Sequence, residues 1–514
     1  MRATPAPLRH WLRVRPLAAA LVLAGSAGAS NAQTFGTPNG TTSANPVLRD
    51  DGTPLRTALR AWHEEALRSP SPPPVTLTTR PVTNCADDGP GSLRGVIAVS
   101  ASGDTVDLTA LQCSPITLET GAIAIHVDTL TLAGPGAGQL AIDGNDSDRV
   151  FLHYGAGSFT IRDLTVRDGR RRATGFDIAI AGCIASAGYT TLDHSVVTGC
   201  YAGGEGAYGG AIYAYSLILS SSTLSNNVAY GVHEDAGMAA FGGAAFVYQI
   251  DLVDSTVTGN SAKHFFNPPR TSYDIGGGIC TVRGGLVINS TIDSNYAYGR
   301  GGGLASFSNV LIRNSTISGN TAETFGGGGL FLRYRGNLDM RNSTVTANRG
   351  RDGGGMMITP LVASVQSSIV AGNTSDTHFA PDLSTQRTVT VSGANNLIDE
   401  VSANVAIPGD SVRGDPGLLP LTHNGGRTRT HALRADSRGI DAGNNTAQLG
   451  FDQRGDGYPR VIGAAPDIGA IEFDPAAPTG QRVPVPSMSL WSMTGLIGLL
   501  VFLGIRASAR RKTN

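Results

Sequence analysis

The chain has 514 residues, a net charge of −1 and 68 glycines, so about one residue in eight is Gly. Average glycine usage is roughly 7%, and charged residues usually supply about a quarter of a chain; here they supply 15%, and Ser, Thr and Asn cover the surface instead. Lys263 and Lys512 are the only lysines, and "RDGRRR" (167–172), the one dense basic cluster before the tail, reads as a solvated loop; the positive stripe of a nucleic-acid binder is missing, which excludes that partner class.

In chain order, residues 1–32 read as a secretory signal peptide. Arg2, Arg9, Arg13 and Arg15 precede the short apolar run "PLAAALVLAG" (16–25), and small residues lead to cleavage between Ala32 and Gln33. The mature protein is then exported to an oxidising compartment. Cys85 with Cys113 and Cys183 with Cys200 are candidate disulfides there, with Cys280 left over and the pairing left open by the sequence. Residues 33–80 form a polar segment. Thr53-Pro54 opens a short helix with Leu55, Leu59, Trp62 and Ala66 on one face, and the stiff linker "SPSPPP" (69–74) follows. A second helical stretch at 91–104 is expected to cap an exposed strand edge.

The region 81–410 carries a repeat. "DSTVTGN" (254–260), "NSTIDSN" (289–295), "NSTISGN" (314–320) and "RNSTVTAN" (341–348) are variants of one phrase. Its end-points, Cys200, Asn227, Asn260, Asn295, Asn320, Asn348 and Asn373, are 25–35 residues apart, and each of the first six is followed by a Gly-rich landmark such as "GGAI" (209–212) or "GGGL" (301–304). Two landmarks recurring at that period mean stacked units. The strands are too short for hairpins and no helices bridge them, which predicts an all-β fold: a right-handed parallel β-helix of ten or eleven coils. Ile317 should face the core, with Thr316 and Ser318 outward. Asn320 should end the strand, either in a left-handed conformation or stacked on Asn295 and Asn348 as an amide ladder. Asp193, Asp254 and Asp293 are read as solvated carboxylates.

The signatures "VTGN", "ISGN", "VTAN" and "GGAI" resemble the repeats of polymorphic outer-membrane proteins. "GLLPLTHNGGRTRTHALRADSRGIDAGN" (417–444) with "DQRGDGYPRVIGAAPDIGAIEF" (452–473) resembles the choice-of-anchor Q domain, expected over 411–475, and "NCADDGPGSLRGVIAVSASGDTVDL" (84–108) is similar to the N-terminal coils of the same proteins. After a linker at 476–486, the tail (487–514) is similar to an IPTL-CTERM sorting signal. It carries "VPSMSLWSM" (485–493) with Val485, Pro486 and Trp491, an apolar span, and the basic residues Arg510 and Arg511; Met488 stands where Leu is usual. The resemblance implies export and recognition by an exosortase-type sorting machinery. Independently, the nearly uncharged span 487–505 followed by Arg506, Arg510, Arg511 and Lys512 predicts a transmembrane helix with a cytoplasmic tail.

Chemistry on the body is sparse in sequence. No polygalacturonase or pectate-lyase constellation occurs, and no Cys/His spacing suggests a metal; no cofactor is expected. "GEGAYG" (204–209) lacks a βαβ context, and Arg454 occupies a ligand position of the calcium-like "DQRGDG" (452–457), which argues against calcium; the resemblance of that stretch to the choice-of-anchor motif implies a structural Arg–carboxylate contact instead. The segments between the Asn and Gly landmarks should stack at one corner. They hold Tyr201, Tyr208, Tyr230, His233, Glu234, Asp235, His264, Phe265, Phe266, Arg270, Tyr273, Tyr296 and Tyr298. Insertions on one face of a solenoid often form its binding face. Tyr230, His233, Glu234, Asp235, His264, Phe265, Phe266, Arg270, Tyr273, Tyr296 and Tyr298 are therefore the candidate ligand-binding edge, for an exopolysaccharide or a host or matrix glycan. In the competing reading these rings only stack on one another. The sequence thus predicts a non-catalytic β-helix protein at the cell surface, acting in adhesion or matrix association. The alternatives are an exopolysaccharide-processing lyase or glycosidase and a structural envelope stalk.

Overall fold

The computed structural model describes residues 77–174, 177–232, 240–264, 274–333, 336–359, 362–377 and 380–475. The expected signal peptide with Ala32 and Gln33, the 53–66 helix and the sorting tail with Val485, Pro486, Trp491, Arg510 and Arg511 lie outside these residues. Among the described residues no helix is long and apolar enough to cross a membrane.

The body is a parallel β-solenoid of the right-handed type. One strand per coil builds an eleven-stranded sheet running from Ile116–Thr117 to Leu397–Ile398. At roughly 4.8 Å per coil the stack is about 50 Å long. Each strand pairs in parallel with its counterpart one coil away, as Thr316–Ser318 does with Thr291–Asp293 and Thr344–Thr346. A broad 21-stranded sheet and an eight-stranded corner sheet complete most coils.

The repeated phrase maps onto this geometry residue by residue. Ile317 is fully buried, in register with Ile292 and Val345. Before it, Asn314 takes a left-handed conformation (φ +45°), and the buried Ser315 joins a hydroxyl ladder: Ser290 N donates to Ser315 Oγ at 3.2 Å and Ser315 N to Ser343 Oγ at 3.2 Å. After the strand the left-handed residue is Gly319 (φ +65°), not Asn320. Asn320 is instead a rung of an amide ladder running Asn227, Asn260, Asn295, Asn320, Asn348, Asn373, in which each backbone N–H donates to the next Oδ1 at 3.0 Å. Asp382 closes it by accepting from Asn373. The Gly landmarks form the following corner. Gly242 has φ +66°, and a Cβ on Gly243 would lie 2.0 Å from Gly277 O, so only glycine lets the coils stack there.

Three expectations change. The 91–104 helix shortens to Leu93–Ala98, with Ser92 as N-cap and Leu93, Val96 and Ile97 buried. It lies within the first coil, between strands Thr79–Pro81 and Thr105–Asp107, and the expected cap over the sheet edge is not supported. Thr316 and Ser318 point away from the core but are buried as well, because residues 411–475 fold back over the eleven-stranded sheet. Thr316 Oγ1 donates to Gln453 at 2.6 Å, Ser318 Oγ bonds His431 at 2.8 Å, and Ala470 N donates to Thr344 Oγ1 at 3.1 Å. For the same reason Asp293 is fully buried, paired with Arg429 from that segment. Below these rungs Ile369, Ala371 and Leu397 pack against Leu433 and Ile468 in a separate apolar cluster.

Cys85–Cys113 and Cys183–Cys200 form disulfides, and Cys280 is free and buried. Arg454 makes the expected Arg–carboxylate contact, with Asp452 at 2.6 Å.

Candidate functional site

The segments after the Asn ladder form a side fin. Their first residues make the eight-stranded sheet, which includes Tyr201–Gly204, Val228–Gly231, Ser261–His264 and Tyr296–Ala297. Ile178–Ile180, Gly206–Tyr208 and Ala240–Phe241 return as a three-stranded sheet. Alternation along these strands sends Ala202, Ala229 and Ala262 inward, against Ala179, Ala207 and Ala240, so the fin has an alanine core. Residues 233–239 and 265–273 lie outside the described residues, and with them His233, Glu234, Asp235, Phe265, Phe266, Arg270 and Tyr273.

Four of the predicted edge residues are described. Tyr230 stands on the outer face in line with Lys263, its ring 6.3 Å from Tyr201 and tilted by 30°. Arg170 lies over the other side of Tyr201, 4.6 Å from the ring centre. Tyr296 and Tyr298 come two coils further on, with Ser261 and Lys263 between the two aromatic groups. All four phenols of this face, at 201, 230, 296 and 298, have raised pKa values, chiefly through burial. Burial and the Glu323 carboxylate push Tyr296 up to about 12. Each therefore presents a neutral hydroxyl at physiological pH.

His264 turns to the other side of its strand. Its Nδ1 bonds the carboxylate of the buried Asp274, and the edge of its ring meets Tyr298 at 4.4 Å. The second Asp274 oxygen accepts the Ala240 backbone N–H at 2.7 Å. A carboxylate anchored in this way fixes the tautomer and orientation of an imidazole.

Tyr208 departs from the predicted corner set. It is buried beneath the fin, stacked on Phe241 at 5.1 Å in a cluster with Ile275, Cys280, Phe331 and Met357. A second aromatic row was not anticipated. On the broad sheet Tyr189 meets Tyr215 edge-on at 5.7 Å, Tyr215 stacks on Tyr248 at 5.1 Å, and Arg283 covers Tyr248 at 5.1 Å. Its sequence signal is the register of "AIYAYS" (211–216) with "AAFVYQ" (244–249), which places Tyr215 beside Tyr248. In this row one ring pair is edge-on and one is stacked, and Arg283 Nε donates to the Tyr248 hydroxyl at 2.7 Å.

Among the described residues no group of three or more His, Cys, Asp or Glu side chains is arranged to hold a metal ion. A cleft of about 550 Å³ near the C-terminal coils is lined by Thr385, Asp399, Glu400 and Arg413. It lies apart from both aromatic rows.

Fold and site together define a parallel β-solenoid with an aromatic side fin and a C-terminal segment strapped along one sheet. Compared with known proteins, the chain matches no family model, no curated protein and no solved structure.

Proposed function

We propose that this chain is an exported, surface-anchored or released β-solenoid that binds polysaccharide through the outer face of its fin, in adhesion or matrix association. The observation that carries the reading is the spacing of the two tyrosine groups. They stand two coils, roughly 10 Å, apart, with Ser261 and Lys263 between them. Rigid rings with neutral hydroxyls supply contact area at small entropic cost, and Lys263 adds positive charge on the same sheet, where Arg170 is paired with Asp146 and Arg349 with Asp376. Export and sorting rest on the N-terminal signal pattern and on the likeness of the tail to an IPTL-CTERM signal. The likeness of 417–473 to a choice-of-anchor Q domain belongs to the same reading.

A glycan array probed with residues 33–480 tests it. The expected result is retention that falls at least about tenfold in a Tyr230→Ala/Tyr296→Ala double variant and on shortening the 261–275 loop. Equal retention by all three proteins would refute the fin as the binding face. Deleting 484–514 should release the protein to the medium; continued envelope retention would refute the anchor.

The His264–Asp274 pair favours a second reading, catalysis on an acidic polysaccharide with His264 as general base. New unsaturated or reducing ends that appear on incubation and vanish in His264→Gln would establish it in place of simple binding.

A further inference from the structure

At the N-terminal end of the fin the alanine column is interrupted. Arg171 is in register with Ala202, and the column continues through Ala229, Ala262, Ala297 and Ala322. The strand Arg170–Arg172 thus turns a guanidinium towards the side where every later coil from 202 to 322 has a methyl group. Its neighbours Arg170 and Arg172 face outward, Arg170 being held by Asp146 at 3.1 Å and by the Tyr201 ring. Arg171 Nε is buried and without a hydrogen-bond partner. Beside it Arg149 makes one side-chain hydrogen bond, from Nε to Ile180 O at 2.7 Å. Burial and the nearby charge of Arg171 pull Arg149 down to about 10, against the opposing charge of Asp148. One Asp148 oxygen already accepts the Arg149 backbone N–H at 2.8 Å.

Two like charges brought together in a half-buried setting destabilise the fold unless something neutralises them. The rest of the column shows that alanine would serve for packing. We propose that Arg149 and Arg171 form an oxyanion site at the end of the fin, taking a carboxylate, sulfate or phosphate group on their unused N–H groups. Guanidinium forks match such groups bidentately, and the exposed Arg172 extends positive charge from the site to the surface. The site does not depend on the tyrosine face. An acidic polysaccharide could occupy both, whereas a neutral glycan would use only the rings.

Titration of the 33–480 protein with inorganic sulfate, inorganic phosphate and trigalacturonate, at ionic strength matched with chloride, tests the site. Sulfate and phosphate stabilise most proteins by exclusion from their surfaces, so the quantity read is the difference between wild type and Arg171→Ala. The proposal expects saturable binding by wild type that weakens at least about tenfold in the variant, and an anion-free melting temperature that stays level or rises in the variant. Preference for trigalacturonate over the inorganic ions would identify a polysaccharide uronate as the source; the reverse order would point to a free ion. Equal anion affinity in wild type and Arg171→Ala overturns the site. So does a lower melting temperature in the variant with no change in anion binding, which would make Arg171 a plug over the open end of the alanine column.

Discussion

Asn320 connects three coils through one side chain. Its Oδ1 accepts from Asn295 N at 3.0 Å and Asn295 Nδ2 at 2.9 Å, while its Nδ2 lies within hydrogen-bond distance of Ile292 O, Ser318 O and Asn348 Oδ1. No water reaches it, since Asn320 is fully buried. Asn320→Ala would orphan the Asn295 backbone N–H and several carbonyls, at about 1–3 kcal/mol for each buried group left unpaired. A total loss of about 3 kcal/mol or more is expected, read as a lower urea midpoint with unchanged slope. One position earlier the opposite change should help. Ala347 holds φ +56° at the corner where other coils place Gly199, Gly259, Gly319 and Gly372. A left-handed L-residue is strained by roughly 1–2 kcal/mol, so Ala347→Gly should raise the unfolding free energy by about 1 kcal/mol, read as a higher urea midpoint, once the extra freedom of glycine in the unfolded chain is counted. The reverse change, Gly319→Ala, would meet nothing closer than Ser294 Oγ at 3.8 Å. A loss there would therefore report backbone conformation and not a clash.

Among the elements, the strap formed by 411–475 has its own pH behaviour. Glu472 and Arg460 are both buried and paired with each other. Burial raises Glu472 to about 7 despite Arg460, with the neighbouring Asp467 acting in the same direction. The ordinary value is about 4.3. A folded-state pKa above the unfolded one means that the native protein keeps a proton the unfolded chain has lost. That contribution is full below about pH 4.3 and disappears as pH rises through 7. Asp467, also raised by burial, has the same sign; His431, lowered by burial, has the opposite one and loses stability as pH falls below its ordinary value. Strap stability, followed by hydrogen exchange at Ile468 and Ala470, should fall from pH 5 to pH 8. Glu472→Gln should shrink that fall, and an unchanged slope would assign it to other groups. Of these elements, the repeat period, the inward Ile317 and the Asn rungs were legible in the sequence, because each recurs at a fixed place in the phrase. The fin was not. Its alanines follow the ladder residue at a fixed interval, as in Asn260–Ala262 and Asn295–Ala297, but strands of two to four residues are too short to show alternation against a loop background. The strap was invisible for another reason: outward Thr and Ser look alike whether they face water or another segment. Of the candidate site, the aromatic enrichment was readable and its division into outer and inner residues was not.

For the molecule as a whole, stability is carried between neighbouring coils, and the two disulfides lie in its N-terminal half, with none after Cys200. The C-terminal coils depend instead on the strap. Down the outward column of the eleven-stranded sheet, Thr256, Thr291, Thr316 and Thr344 give way to Ile369 and then Leu397. The two apolar residues are fully buried, in the cluster that contains Leu433 and Ile468. Each contributes about 1.5–3 kcal/mol by being covered, and uncovered they would leave an apolar patch at the end of a stack of parallel strands, a setting prone to association. Removal of 411–475 should therefore lower soluble yield and abolish exchange protection in the coils after Thr344. Because a solenoid couples mainly neighbouring repeats, the coils around the Cys183–Cys200 disulfide should keep their protection. Restoring the upper pattern by Ile369→Thr and Leu397→Thr should return the truncated chain to solution, while the same pair in the full-length chain should destabilise the strap. If the truncated wild-type chain is already soluble and fully protected to Leu397, those residues do not need their cover and the strap has a role other than closing the stack.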